Sequence, residues 1–182
     1  MIAFAAKLAT FWIFPRRARE WLRRRIVYAA YGFPVWRRAR KTGRFLHCNG
    51  PVRVTRKTTL GDHVNFNGAM FYGGGEVEIG DWFHSGEGLK IFTRNHNYEG
   101  EALPYDDKYI HKKVTIGDCV WIGAQVILLP GTTIGDGAII QAGSVVHGEI
   151  PPLSIAGGNP AKVFARRDAE RYGRLKAARR FH

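Results

Sequence analysis

Val114-Thr115-Ile116-Gly117-Asp118-Cys119-Val120-Trp121-Ile122-Gly123-Ala124, continued by Ile134-Gly135-Asp136-Gly137-Ala138-Ile139-Ile140, lies on a grid with aliphatic residues at 116, 122, 128, 134, 140 and 146. A period of six matches neither the 3.6 of a helix nor the 2 of a single strand. It fits short strands that meet at turns, each edge repeating one inward aliphatic residue and a Gly-Asp or Gly-Ala corner. Such a chain winds as a parallel β-helix. Upstream, the grid returns at Leu60, Phe66 and Tyr72, slips by one residue, and resumes at Ile79, Ser85 and Ile91. The corner repeats at Leu60-Gly61-Asp62 and Ile79-Gly80-Asp81. The coil is therefore expected over about 52–155, within a domain of 46–161, with one interruption between about 94 and 113.

These hexads, with Leu129-Pro130-Gly131-Thr132-Thr133-Ile134 and the exit Ala156-Gly157-Gly158-Asn159-Pro160-Ala161-Lys162-Val163, resemble the left-handed β-helix, hexapeptide-repeat acyltransferases. Within that family the sequence is most similar to maltose, galactoside and nodulation-factor O-acetyltransferases and to exopolysaccharide and lipopolysaccharide acetyltransferases. The likeness covers about 52–165 and leaves the first 45 residues outside it. It implies an all-β domain, a left-handed parallel β-helix, acetyl-CoA as donor, a saccharide acceptor and a homotrimer with each active site between two subunits. A run of hexads alone is shared by γ-carbonic anhydrases and by purely structural coils. The anhydrase reading needs a close His pair about five residues apart, which this sequence lacks, so no metal is expected.

Charge divides the 182 residues sharply. Residues 1–57 hold 15 Lys and Arg against one acid, 58–161 hold 5 against 12, and 162–182 hold 8 against 2. The basicity belongs to the ends while the coil is acidic, which argues against nucleic acid being read by the main domain. Anionic lipid or a lipid-linked saccharide suits the ends better.

The apolar run 1–14 contains Lys7 and is shorter than the roughly 20 residues a spanning helix needs. Its charges follow the apolar stretch and no small-x-small cleavage site is visible, so a cytoplasmic protein is expected. After Pro15, Leu22, Ile26, Ala29 and Phe33 keep helical spacing opposite an arginine face, and Gly32 and Pro34 are expected to end the helix. The 1–45 segment thus reads as amphipathic helices. They either lie at the inner face of the cytoplasmic membrane or cap the open first turn of the coil. The tail 162–182 reads as a basic C-terminal helix. Cys48 and Cys119 lack any ligand spacing and read as reduced thiols, with Cys119 a small side chain at a coil edge rather than an acyl carrier.

In the interrupting loop, Phe92-Thr93-Arg94-Asn95-His96-Asn97-Tyr98 breaks the grid. The resemblance places the general base at His96, on a loop that projects toward the adjacent subunit. An imidazole, titrating near pH of about 6.5, suits proton transfer from a sugar hydroxyl and on to a thiolate. The Asn-Phe-Asn element at 65–67 matches one whose first Asn contacts acceptor, which maps to Asn65; the spacing here is one residue longer, so Asn67 competes. Either Asn also suits a ladder or turn within the coil. For the acetyl-CoA groove the resemblance points to Trp121, Ala124, Ala142 and Gly143. Where the family often has Thr-Lys, this chain has His147-Gly148; Lys162 with Arg166 or Arg167 remains for the phosphates. Small residues at coil corners are equally expected for structural reasons. An amine acceptor in place of a hydroxyl, and a noncatalytic membrane-associated scaffold, stay open on residues alone.

Overall fold

The computed structural model describes residues 15–181, so the run 1–14 and the readings made of it lie outside the described residues. From Lys41 onward the chain winds as a left-handed parallel β-helix whose cross-section is a triangle. The first face stacks Lys41–Thr42, Thr58–Leu60, Val77–Ile79, Val114–Ile116, Thr133–Ile134 and Glu149–Ile150. The second stacks His47–Cys48, Asn65–Phe66, His84–Ser85, Trp121–Ile122, Ile139–Ile140 and Ser154–Gly158. The third stacks Val52–Arg53, Ala69–Tyr72, Leu89–Phe92, Ile127–Leu128 and Val145–Val146. In-register residues repeat the sequence grid: Leu60, Ile79, Ile116, Ile134 and Ile150 form one inward column. Phe66, Ser85, Ile122, Ile140 and Ala156 form another. All ten are buried.

The grid fails at one position. Phe71, not Tyr72, is the in-register partner of Ile91 and turns inward, while Tyr72 pairs with Phe92 and stays exposed. The third-face strand there is four residues long rather than two, and the extra residue is absorbed in the Gly73-Gly74-Gly75 corner. Gly75 is held there by its N–H bond to the buried Thr93 hydroxyl, 2.9 Å.

The Gly-Asp corners have a direct physical cause. Asp62, Asp81, Asp118 and Asp136 each accept, through Oδ1, the N–H of the residue one coil earlier: Arg44, Asp62, Asp81 and Asp118, at 2.7–2.9 Å. A Cβ on Gly43, Gly61, Gly80 or Gly117 would collide with that carboxylate. The Arg44 backbone N–H, then its guanidinium, hold the Asp62 carboxyl below its usual range. The residue after each Asp sits at positive φ, as does Phe45 after Arg44, and Phe45, His63 and Trp82 stack in a column with centroids 4.6 and 3.7 Å apart.

The helical N-terminal segment does not stop at Gly32 or Pro34. Helix α1 (Arg16–Val27) passes through one π-helical turn, Tyr28–Gly32, into α2 (Phe33–Arg38). Pro34 lies in the first turn of α2, where its missing N–H is not needed. Gly32 admits the Tyr28 ring, which a Cβ would meet at 2.6 Å. The chain leaves the helix at Ala39 and enters the coil at Lys41, four residues inside the segment expected to be helical. Val35 is 1% exposed and joins the core, with Tyr31 packed against it, so α2 closes the first turn. The aromatics Trp21, Tyr28, Phe33 and Trp36 take no part in that closure and remain exposed.

At the other end the tail is not all helix. Ala161–Arg166 folds back antiparallel on Ser154–Gly158, using the outer edge of the second face. Helix α3 (Ala169–Ala177) follows, capped by Asp168, which accepts the Arg171 N–H at 2.8 Å. The tail lies along the Gly-Asp corner: Lys176 Nζ is 3.8 Å from both Asp118 and Asp136, and Phe181 stacks on Trp82 at 4.3 Å. Gly137 makes room for the Tyr172 ring, which a Cβ would meet at 2.7 Å.

Candidate functional site

The interruption in the grid is an arm. It leaves the corner between the third and first faces at Thr93, runs out as Arg94–His96, and returns as Tyr109–His111 in antiparallel register. Its turn is tied by Asn97 Nδ2 to Asp106 Oδ2, 2.9 Å, and by the Lys108 N–H to Asp106 Oδ1, 2.9 Å. His96 pairs with Tyr109 on the returning strand. The imidazole is exposed, stacked on Tyr105 at 3.8 Å and tilted against Tyr109 at 4.8 Å. The Arg94 guanidinium lies over the Tyr109 ring, 4.0 Å from its centroid. The sequence reading did not single out Tyr105 and Tyr109; aromatic residues in an otherwise polar loop were the available signal. The two rings fix where the imidazole points while leaving it without a hydrogen bond among the described residues. The arm exposes apolar surface: Leu103 is 96% and Tyr98 70% exposed in the single chain.

On the second face the outward column reads His47, Asn65, His84, Trp121, Ile139 and Ile155. The structure separates the two asparagines. Asn67 is committed within the coil: Nδ2 donates to the Ser85 carbonyl at 2.9 Å and lies 3.3 Å from His84 Nε2, while Oδ1 accepts from Asn49 Nδ2 at 2.9 Å. Asn65 uses only Oδ1, 3.3 Å from Asn49 Nδ2, so its own Nδ2 has no partner among the described residues. Asn65 and His96 stand on different parts of the prism: one on the second face, the other on an arm rooted across the third.

Trp121 is 54% exposed at the centre of the second-face column. The next corner stacks Ala124 and Ala142 closely: a Cβ on Gly86 or Gly123 would meet their backbone nitrogens at 2.5 Å. Gly143 donates to the Ala124 carbonyl at 2.8 Å, has φ of +73°, and leaves its Cβ position open. Lys162, opposite Gly157 beside Gln141, is exposed at the same edge. Trp121, Ala124, Ala142, Gly143 and Lys162 thus come together. His147-Gly148 does not join them, because the strand Val145–Val146 carries the chain across the third face to the corner where the arm is rooted. Nor does Arg166, which pairs with Ser154 at the far end of the hairpin. Arg167 is spent structurally, donating to the Gly137 carbonyl at 3.2 Å and lying 5.1 Å over the Tyr172 ring.

Burial raises the Cys119 thiol above its ordinary value, against the lowering effect of a hydrogen bond with Tyr172, and burial pushes Cys48 up to about 12. Both directions disfavour a thiolate. Among the described residues no group of three His, Cys, Asp or Glu side chains is gathered as metal ligands. Among them, too, no helix is long and apolar enough to cross a membrane.

Residues 113–148 match the family model described as bacterial transferase hexapeptide (six repeats). A protein of Mycobacterium tuberculosis named Probable acetyltransferase Rv3034c is 42% identical over 119 residues, 65% of this chain. The match spans 38% of that relative's own length. The hexapeptide-repeat acetyltransferase VCA0836 of Vibrio cholerae, complexed with acetyl coenzyme A, superposes with a TM-score of 0.59 at 25% identity, covering 91% of this chain and 86% of that one. A maltose O-acetyltransferase of Clostridium difficile 630 gives 0.56 at 27% identity, covering 90% and 82%.

Proposed function

We propose that this chain, a member of the hexapeptide-repeat acyltransferases, transfers an acetyl group from acetyl-CoA to a saccharide hydroxyl in the making of a cell-envelope or secreted glycan. The observation that carries the reading is His96: an imidazole held between two tyrosine rings on an arm outside the coil, with its nitrogens open to a ligand. The corner of Ala124, Ala142 and Gly143 fits the donor, since small residues and an open Gly143 let an extended amide chain approach the backbone. Trp121 offers an exposed ring beside it and Lys162 a cation at the edge. In the reaction His96 accepts the acceptor hydroxyl proton as the oxygen attacks the thioester carbonyl. The tetrahedral intermediate collapses, the C–S bond breaks, and the imidazolium returns its proton to the CoA thiolate. Asn65 would orient the acceptor, a role supported by its amide N–H groups having no partner among the described residues.

The site is shared between copies in a homotrimer. Two observations support this: one chain leaves Asn65 and His96 apart, and the apolar arm is uncovered in isolation. The decisive experiment is thiol release from acetyl-CoA across a panel of mono- and oligosaccharides, amino sugars and lipid-linked glycans, with the mass measured by light scattering on the same sample. Hydroxyl acceptors should turn over and the mass should be that of three chains. Turnover only with amino sugars would make it an N-acetyltransferase, no turnover would leave a scaffold, and a fully active monomer would overturn the shared site.

The N-terminal helices are proposed to hold the enzyme at anionic membrane. Exposed Trp21, Tyr28, Phe33 and Trp36 interleave with exposed Arg16, Arg17, Arg23 and Arg25, a mixture that suits the lipid interface. Because Val35 closes the coil, the test keeps the full chain and replaces those four arginines with serine. The unaltered protein should sediment with anionic vesicles at low salt and not with neutral ones. The variant should lose about 1 kcal/mol of binding per arginine. Retention of the full protein in the supernatant with both vesicle types refutes the proposal.

A further inference from the structure

At the first turns of the coil, away from the donor groove, lies an open recess of about 430 Å³. Arg38, Arg53, Arg56 and Lys57 line it, with Phe71 and Tyr72 from the next coil. No carboxylate is among the lining residues, and none of the four cations is in an ion pair among the described residues. Three basic side chains nearby on the first face and its edge do find acids: Arg40 pairs with Glu76 at 3.0 Å, Arg44 with Asp62 at 2.8 Å, and Lys113 pairs with Glu78.

The recess is built rather than incidental. Arg38, at the end of α2, is pinned by Nε donating to the Val54 carbonyl at 2.7 Å, and its two terminal nitrogens make no hydrogen bond among the described residues. The corner carrying Arg56 and Lys57 is fixed by the buried Thr55 hydroxyl, which bonds the Gly75 carbonyl at 3.1 Å and accepts the Lys57 N–H at 3.3 Å. Val54 and Phe71 make an apolar wall. Gly74, at φ of +70°, has no atom within 4 Å of its Cβ position, so the glycine corner leaves the mouth clear. Four like charges converging on one mouth repel one another unless an anion lies among them.

We propose that this recess is a binding site for a phosphate-bearing group, with a diphosphate the best match to four cations. Guanidinium groups suit phosphate oxygens through paired N–H donors. It is distinct from the donor groove of the same chain: Val52–Arg53 is the edge strand at one end of the third face and Val145–Val146 the edge strand at the other. The site stands without the transferase reading, since its readout is binding alone.

The test is calorimetric titration of the full chain, at low salt in a buffer free of phosphate, with two probes. One is inorganic pyrophosphate; the other is dioctanoyl phosphatidylglycerol below its micelle concentration. The same titrations follow on R53S/R56S and on a control, Arg171→Ser, on the opposite end of the molecule. All three proteins should melt alike, because the replaced side chains are exposed. Pyrophosphate binding weakened about tenfold or more in R53S/R56S and unchanged in the control identifies a diphosphate site. The same loss seen only with the short-chain lipid assigns the site to a lipid phosphate. Failure of both probes to bind, or binding that R53S/R56S leaves intact, overturns the proposal.

Discussion

His96→Ala should lower the rate of acetyl transfer by about 10² to 10⁴ while the KM for acetyl-CoA stays within a few-fold. The effect is large because the substitution removes the only proposed proton acceptor, and it is confined to turnover because the donor groove lies on another corner of the prism. The fold should be untouched: His96 is exposed on an arm and lies outside the core. Cys119→Ala makes the contrast. That thiol is raised by burial and sits beneath Tyr172 at the Gly-Asp corner, so its loss should leave the rate near normal. Steady-state thiol release, with melting curves recorded alongside, checks both. Near-normal turnover by the His96 variant would remove the general-base assignment, and a folded but inactive Cys119 variant would reinstate an acyl-enzyme.

Phe66→Ala should destabilise the coil by about 3 to 5 kcal/mol. Phe66 has 0% exposure and contacts Phe83 at 5.5 Å and Phe71 at 6.0 Å between ring centroids. Its removal leaves a hole that rigid coils above and below cannot collapse to fill. In a stacked architecture each coil leans on its neighbours, so the loss spreads along the column and no second core compensates. At about 2 to 4 °C per kcal/mol for a chain of this length, the thermal midpoint should fall by about 6 to 20 °C at fixed protein concentration. A shift under about 2 °C would mean that the first coils contribute little to global stability.

The aliphatic grid made the coil legible because each inward position has to recur at the same place in every turn. The same logic misassigned Tyr72: counting by six cannot see that Phe71 turns inward and that the extra chain is taken up in the Gly73-Gly74-Gly75 corner. The N-terminal helix was expected to stop at a glycine and a proline. In the folded chain the glycine accommodates a ring and the proline starts a second helix, uses that depend on Tyr28 and on the coil beneath. The strand Ala161–Arg166 was hidden in a basic tail because it pairs with a single edge and faces no core of its own. Of the candidate site, the arm and the groove corner were readable as a broken grid and a run of small residues. The asparagines could be told apart only from their partners in space. His147, Gly148 and Arg166 were assigned to the groove from the family resemblance; in this chain the strand Val145–Val146 carries His147-Gly148 to the next corner, and Arg166 sits opposite Ser154 at the far end of the hairpin.

The arm interrupts the sequence but not the architecture. Leu89–Phe92 enters it paired with Ala69–Tyr72 on one side, and its residues Lys90 and Ile91 pair with Ile127 and Leu128 on the other. Val114–Ile116, on leaving it, pairs at once with Val77–Ile79 and, through Thr115 and Ile116, with Thr133–Ile134. The arm and the coil that supports it are therefore written in separable stretches of chain. An arm can be lengthened, shortened or exchanged at the modest entropic cost of a longer or shorter loop, leaving every buried column intact. On the proposed function, acceptor preference would drift by trading one excursion for another while the prism that presents it stays unchanged.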